Sequence, residues 1–437
     1  MSESRADRFA DRVPLGLLRR IKSSVVRVQD ALVLGFTLSL IFLLRPVLDI
    51  RLAAFDTPRI GEWIQRMDLS LSLARLDDTR TSRRRLHIFV LCGVQRNEQL
   101  ALMYKRHIKL LENVVILDVR TSRWAKILRK PALTVSLHAM QGTGLRAVYS
   151  GDARVTLDSC GLHPNGRPFL AFSSDEEERG SQFLDLLGIS QESKLACVHI
   201  RDQAYLTKVL PARDWSYHNY RNPSIDRYVA AVQLLIDNGW TVVRMGREVE
   251  RQFPLQHASF IDYAVSPHRS DFLDVFLYAK SQLAIAGSIS GIDQLAHAFQ
   301  IPHVATNFIP FEDPRWATPN AIALPALYRS KACEDPLPLS VMLGHRYGTA
   351  AEYVDAGITI IHNDSQDILQ AVSEMMSRLD GTWIDTHQDL EDQERFWEWA
   401  LECGIADAIP PGPWQQSFTR ARLGTVFLRK FQGSLMT

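Results

Sequence analysis

From residue 50 onward, short apolar runs of strand length alternate with longer amphipathic stretches of helical period. Leu86–Cys92, Asn113–Leu117, Leu195–Asp202, Trp240–Gly246, Phe260–Tyr263, Leu283–Gly287 and Ile301–Thr306 read as buried strands, being apolar and rich in branched or aromatic residues. Between them, Trp63–Leu69 follows a turn at Thr57–Glu62, and Asn97 caps a helix through Ile108. A short helix ends at Leu187 after the polar stretch Ser173–Gly180. Pro223 opens a helix over Ser224–Asn238 that Gly239 stops. Ser270–Ser281 places Phe272, Val275, Phe276 and Ala279 on one face, and another helix starts at about Gly291. Ser122–Tyr149 carries no legible pattern, and the proline-rich region Phe308–Gly348 reads as irregular. Toward the carboxyl terminus, Asp389–Cys403 is amphipathic, with Phe396, Trp397 and Trp399, and Arg420–Phe431 reads as a final helix.

Strands joined by single helices imply an α/β protein with parallel, doubly wound sheets. The expected organisation is an N-terminal segment 1–50, a first Rossmann-like domain 51–188, a second 189–385, and helices 386–437 that cross back. In the first segment Arg19, Arg20, Lys22 and Arg27 precede the apolar run Ala31–Leu44, which Arg45-Pro46 closes. That run is shorter than the roughly 20 apolar residues a spanning helix needs. No small-x-small cleavage site follows it. An interfacial helix held by its basic flank is the favoured reading, beside core burial and a short signal anchor.

Leu195-Ala-Cys-Val-His-Ile-Arg-Asp202 carries the most chemistry. A buried parallel strand runs straight into His199, Arg201 and Asp202, with Tyr205 in the loop beyond, as a strand does where its carboxyl end opens on a ligand crevice. Arginine's planar fork matches phosphate oxygens. Gly246 ends another strand at the same edge. After Gly287 comes Ser288-Ile-Ser290-Gly291-Ile-Asp293, a small-residue turn into a helix, whose N–H groups and hydroxyls suit an anion; an ordinary serine N-cap is the alternative. Arg244 lies inside a strand, where a salt bridge explains it equally well.

His199-Ile-Arg-Asp202, Tyr220-Arg-Asn222, Arg244-Met-Gly246 and Ser288–Ala298, with Arg59-Ile-Gly61 and Met103-Tyr-Lys-Arg-His107, resemble the bacterial surface-polysaccharide glycosyltransferases. The His-x-Arg element is distantly similar to that of fucosyltransferases, and the serine/glycine turn to that of heptosyltransferases. The resemblance covers most of residues 55–310. It implies a GT-B fold, two Rossmann-like doubly wound domains facing a cleft, with a nucleotide sugar held mainly by the second. It further implies that Arg201 binds a donor phosphate beside His199, with Ser288, Ser290 and Gly291 on the other side. By that resemblance Glu62, directly after Gly61, is the candidate base, with Asp68 and His107 in reserve. The bland alternative for Glu62 is a first-turn glutamate favoured by the helix dipole, and Asp202 is expected to position Arg201.

Charge and cysteine content narrow the class. A net charge of +1 excludes the basic excess that phosphate-backbone binding needs, so no nucleic-acid partner is expected. Five scattered cysteines without a CxxC pair indicate neither a disulfide framework nor a zinc site. There is no Asp-x-Asp motif to hold a cation under a diphosphate, and neither metal nor cofactor is expected. The expected activity is metal-independent glycosyl transfer from a nucleotide sugar to a surface polysaccharide or lipid-linked glycan, in the cytoplasm and peripheral to the inner face of the cell membrane. A sugar-nucleotide epimerase and a non-catalytic sugar-binding or glycan-assembly protein are the alternatives. The aromatic loop Asp214–Arg221 suits a sugar, or packs its rings as a lid.

Overall fold

A computed structural model describes residues 43–44, 46–55, 59–78, 84–91, 97–118, 169–190, 192–209, 211–212, 214–288, 290–310, 318, 320–344, 347–404 and 421–435, with positions 28, 32, 35–36 and 39–40. The chain divides into two compact units, one of residues 1–58, 74–94 and 108–150, the other of 59–73, 95–107 and 151–437. The boundary expected near Gly188 falls inside the larger unit.

The smaller unit holds a three-stranded parallel sheet, β1 (Leu48–Phe55), β2 (Arg84–Leu91) and β3 (Val114–Asp118), in that spatial order. Ala53, Phe55, Phe89 and Leu91 are buried, and the Phe55 and Phe89 rings meet edge to face at 5.4 Å. Helix α1 (Ile60–Asp78) follows β1, and α2 (Glu98–Ile108) follows β2. Asn97 caps α2 as its sequence indicates, its side-chain oxygen accepting from the Leu100 N–H at 2.9 Å.

The larger unit takes in most of α1 and α2 and continues with α3 (Ser174–Leu186), whose capping box joins Ser173 and Glu176. The helix therefore begins within the polar stretch instead of following it, because a Ser-x-x-Glu pair satisfies two end N–H groups wherever it falls. The seven-stranded sheet comprises β4 (Lys194–Ile200), β5 (Trp240–Arg244), β6 (Phe260–Ile261), β7 (Leu283–Gly287), β8 (His303–Phe308), β9 (Ala321–Pro325) and a later strand at Arg422–Leu423. Every pairing in it is parallel. In space β4 lies between β5 and β7, with β6 outside β5, and β8, β9 and the Arg422–Leu423 strand following β7. The chain thus builds outward from β4 on one side, then returns and builds outward on the other. β4 and β7 flank the switch point.

Strand alternation sorts the β4 side chains. Ala196, Val198 and Ile200 enter the main core with Val232 and Leu235 of the helix Val229–Asp237. On the opposite face the Cys197 thiol reaches the Leu277 carbonyl of the helix Asp271–Lys280 at 3.5 Å. His199 shares that parity. The helix expected over Ser224–Asn238 is in fact a 3-10 turn, Ile225–Tyr228, followed by Val229–Asp237. The proline-rich region is not irregular throughout: it supplies the end of β8, all of β9, and a strand Leu327–Ser330 that pairs antiparallel with Ile358–Ile361. Among its described prolines, Pro325 is the last residue of β9, where a missing N–H is tolerated. The amphipathic helix near the carboxyl terminus spans His387–Glu402. The terminal segment adds the short strand Arg422–Leu423 beside β9 before its helix, Thr425–Leu435. Phe427 and Leu428 of that helix are buried in the core of the larger unit.

Candidate functional site

In an open α/β sheet the carboxyl ends of the two strands at the switch point splay apart and leave a crevice. Here those ends carry His199, Arg201 and Asp202 after β4, and Ser288, Ser290 and Gly291 after β7. The Arg201 N–H donates to the Gly287 carbonyl at 3.2 Å, which ties the two ends together. Gly287 has no space for a side chain: a Cβ there would lie 2.9 Å from the Tyr228 hydroxyl and 3.1 Å from Ile200 Cα.

Arg201 is the centre of a cationic cluster. Its guanidinium donates to the Asn222 side-chain oxygen and, at 3.4 Å, to the His218 carbonyl. Both are neutral acceptors. Burial and then the nearby Arg221 lower the pKa of Arg201 to about 10, outweighing Tyr220 and Asp202, which raise it, while Arg59 adds the least. Burial and the same three arginines, Arg221, Arg201 and Arg59, push His218 down to about 4. Its Nδ1 is buried without a hydrogen bond. Burial and three nearby arginines thus keep this imidazole neutral. The 3-10 turn Ser216–Arg221 that holds this cluster packs its rings: Trp215 is buried, Tyr220 lies 4.9 Å from Tyr353, and Tyr217 stacks at 5.9 Å on Trp215.

Asp202 does not bond Arg201. Its two oxygens accept from the backbone N–H groups of Ala204 and Glu250, each at 3.0 Å. It therefore holds the loop after β4 to the loop after β5, and the positioning role expected of it falls to Asn222. Tyr205 is half-buried on the short helix Ala204–Val209 that Asp202 starts. Gly246 has φ 155° and would bring a Cβ within 3.1 Å of Val249 and 3.2 Å of Ala264. Arg244 is buried and structural, pairing with Asp262 at 3.1 Å and donating to the Arg251 carbonyl at 2.8 Å.

On the β7 side the expected helix start at Gly291 is a turn. Helix begins only at Gln294 and runs five residues, to Ala298. The Ser290 N–H is occupied, donating to Asp293 Oδ2 at 2.7 Å. Gly291 backs onto Gly61, so that a Cβ on Gly61 would lie 2.6 Å from Gly291 Cα and 2.8 Å from its carbonyl oxygen. The two glycines thus serve a backbone crossing. Ser288 adopts a left-handed φ of 69°, and its hydroxyl is sealed from solvent without a hydrogen bond. Asp293, buried, also accepts from the Tyr278 hydroxyl at 3.1 Å and stands 3.2 Å from His199 Nδ1, an ion-pair distance that lacks hydrogen-bond alignment.

The candidate bases do not converge. Glu62, in the first turn of α1, is 3.6 Å from Arg66, one turn on. It is adjacent in sequence to the Gly61–Gly291 crossing, and so lies in the neighbourhood of the β7 turn. Asp68 is buried and accepts from the Tyr104 hydroxyl of α2; burial and this carboxylate raise the Tyr104 pKa well above its ordinary value. That contact joins two helices. His107 packs edge to face on Phe169 at 5.2 Å. Among the described residues no group of three or more His, Cys, Asp or Glu side chains could hold a metal, and no helix is long and apolar enough to cross a membrane. Most of the basic and apolar N-terminal segment lies outside the described residues.

No family model and no curated protein matches the chain. Among solved structures it is similar to a glycosyl transferase of family 9 from Veillonella parvula, at 10% identity and TM-score 0.45, covering 75% of this chain and 97% of that one. It is similar to the E. coli heptosyltransferase WaaC with ADP-2-deoxy-2-fluoro heptose, at 13% identity and TM-score 0.31, covering 63% and 92%. It is also similar to the iron-containing dodecameric glycosyltransferase TibC of enterotoxigenic E. coli, at 12% identity and TM-score 0.33, covering 65% and 64%.

Two parts of the site escaped the sequence reading. Arg59, His218, Arg221 and Asn222 join Arg201 only through the fold, although Arg59-Ile-Gly61 and Tyr220-Arg-Asn222 stand out as motifs. Asp293 had a local signal: Ser290-x-x-Asp293 has the spacing of a capping box.

Proposed function

We propose that this chain is a GT-B glycosyltransferase that takes a nucleotide sugar at the β4–β7 switch point and transfers the sugar to a hydroxyl of a surface glycan or lipid-linked glycan. The observation that carries the reading is the group Arg59, Arg201 and Arg221 at this crevice, with Arg201 held by Asn222 and a carbonyl and not by a carboxylate. Such a group matches a diphosphate, the part common to all nucleotide-sugar donors, and would stabilise it as it departs without requiring a metal. Transfer then needs a base for the acceptor hydroxyl. Glu62 is the proposed base, because Gly61 brings the start of α1 against the β7 turn. The basic, apolar amino terminus supports placement of the enzyme peripherally on the inner face of the membrane, where lipid-linked acceptors reside.

A calorimetric panel of nucleoside diphosphates and nucleotide sugars tests the donor site. At least one should bind, and Arg201→Ala should weaken it about 10- to 100-fold. Unchanged donor affinity in folded Arg201→Ala would overturn the assignment. Glu62→Gln should retain donor binding and lose roughly 10²–10⁴-fold in turnover; near-normal turnover would move the base elsewhere.

A further inference from the structure

His362 and Asn363 follow the strand Ile358–Ile361 and belong to none of the motifs in the sequence, yet both bond to segments that form the donor site. Asn363 is buried and clasps Asn307 of β8 twice. The Asn307 N–H donates to Asn363 Oδ1 at 2.7 Å, and the Asn363 N–H to Asn307 Oδ1 at 2.6 Å. Asn363 Nδ2 donates to the Pro325 carbonyl, at the end of β9, at 2.9 Å. Arg227 donates to the His362 and Asn363 carbonyls at 2.7 and 2.8 Å. The segment is thus fixed by β8, β9 and the 3-10 turn Ile225–Tyr228. From it the half-buried His362 brings its Nε2 to 3.0 Å from the Tyr220 carbonyl. A carbonyl only accepts, so His362 is the Nε2–H tautomer and donates.

We propose that His362 is a positioning residue, whose bond to the Tyr220 carbonyl places the 3-10 turn Ser216–Arg221 so that two acceptors hold the Arg201 guanidinium for the donor diphosphate. The inference rests on the donor-site reading and adds to it the residue that sets the turn. Those acceptors, the His218 carbonyl and the Asn222 side chain, stand on either side of Tyr220 in the chain. Moving the Tyr220 peptide therefore moves both at once. Inside the turn, the His218 N–H donates to the Trp215 carbonyl and the Asn222 N–H to the Asn219 carbonyl, each at 3.0 Å. A 3-10 turn this short has little stability of its own. Its place is set by what it is fastened to.

The anchor behind His362 is buried and continuously bonded, which makes it stiff. Asn307 Nδ2 donates to the Tyr228 hydroxyl at 3.0 Å, that hydroxyl to the Thr306 hydroxyl at 2.7 Å, and the Thr306 hydroxyl to the Ala286 carbonyl at 3.1 Å. Tyr228, Thr306 and Asn307 are all sealed from solvent. The Thr306 carbonyl takes the Ser288 N–H at 2.8 Å, so one network serves both the turn after β7 and the 3-10 turn. The Tyr220 side chain has its own supports, its ring lying 4.9 Å from Tyr353 and its hydroxyl donating to the Gly348 carbonyl at 3.4 Å. Those contacts fix the ring; His362 fixes the peptide. Burial pushes the His362 pKa down, against the Tyr220 bond and with Arg227 adding to burial, so the imidazole is neutral at about pH 8.

The test titrates inorganic pyrophosphate calorimetrically at about pH 8, with a Tm measured for every variant. His362→Leu should raise the dissociation constant about three- to tenfold, from loss of one hydrogen bond, and His362→Gln, whose amide reaches as far as Nε2, should restore it. In an Arg201→Ala background the leucine substitution should change nothing further, because the turn acts through Arg201. His362→Asn, too short to reach Tyr220, takes the place of the leucine variant if that one does not fold. If pyrophosphate binds Arg201→Ala too weakly to titrate, the contrast between the glutamine and leucine variants decides. A lowered Tm with unchanged affinity, an equal loss with and without Arg201, or a glutamine variant as weak as the leucine one overturns the proposal. The donor site still stands in those cases, provided that Arg201→Ala weakens pyrophosphate. Failure of pyrophosphate and of every nucleoside diphosphate to bind the wild-type protein overturns both.

Discussion

Two arginine clusters of the larger unit make opposite use of the same side chain. At the carboxyl-terminal end, Arg378 pairs with Asp385 at 2.6 Å and with Glu374 at 2.9 Å, and Arg422 reaches the same two carboxylates. Glu374 is buried and also takes the Thr425 N–H at 2.7 Å and the Thr425 hydroxyl at 3.0 Å. Burial alone would lower the Arg378 pKa, but Asp385 and Glu374 outweigh it and the net shift is upward. At the switch point, burial and neighbouring arginines bring Arg201 down to about 10, with only neutral acceptors bonded to its guanidinium. The first cluster is complete and fastens the last helix to the helix Ser365–Leu379. In the second, only Arg201 can be followed atom by atom, and a buried guanidinium bonded to neutral acceptors at a sheet edge marks a place where an outside anion fits.

Substitutions separate the two clusters. The largest effect is expected from Glu374→Ala, which leaves the buried Thr425 N–H and hydroxyl without their acceptor and Arg378 and Arg422 with Asp385 alone, and should cost about 3–5 kcal/mol in chemical denaturation. Diphosphate affinity should be unchanged where this variant is folded; a loss of affinity would blur the contrast. Arg201→Ala should do the reverse, weakening diphosphate by about 1.5–3 kcal/mol while leaving the Tm unchanged or raised, because it relieves repulsion with Arg221 and Arg59. A fall in Tm like that of Glu374→Ala would make Arg201 a structural residue. Gly61→Ala tests whether the backbone crossing holds α1 to the β7 turn, and about 1–3 kcal/mol of destabilisation is expected by thermal melting.

The smallest effect is a pH dependence. His218 has its pKa depressed in the fold to about 4, against an ordinary value of 6.5. Between those values the unfolded chain binds the proton and the folded chain does not, so stability falls as pH drops from 6.5 through 4. Saturating diphosphate should reduce this loss by screening the arginines, and His218→Gln should remove its share of it. Glu176 acts lower. Burial would raise its carboxyl, but bonds from Arg106, Gln99 and the Ser173 N–H outweigh burial and bring it to about 2, so its stabilisation is present above 4.5 and disappears toward 2. Melting curves at stepped pH resolve the two ranges.

The sequence by itself determined the elements that depend on local chemistry. β7 spans Leu283–Gly287 as its apolar run indicates, α2 starts after Asn97, and β4 runs from apolar residues into His199 and Arg201. Each depends on burial period or capping within a few residues, and those are written in the chain. Tertiary structure decided what was non-local. Neither motif says that Arg59 and Arg221 act on Arg201, because those charges meet only when the start of α1 and the 3-10 turn Ser216–Arg221 fold around the end of β4. Asp202 looked like the partner of Arg201 because it is its neighbour in sequence, yet the chain turns its carboxylate to two backbone N–H groups and supplies Asn222 in its place. Gly291 looked like a ligand contact, and the Cβ it lacks is accounted for by Gly61, some 230 residues earlier. Residue type and spacing fix local hydrogen bonds and burial; which charges meet is set by how loops and helix ends pack around the strand ends, and that packing exists only in the folded chain.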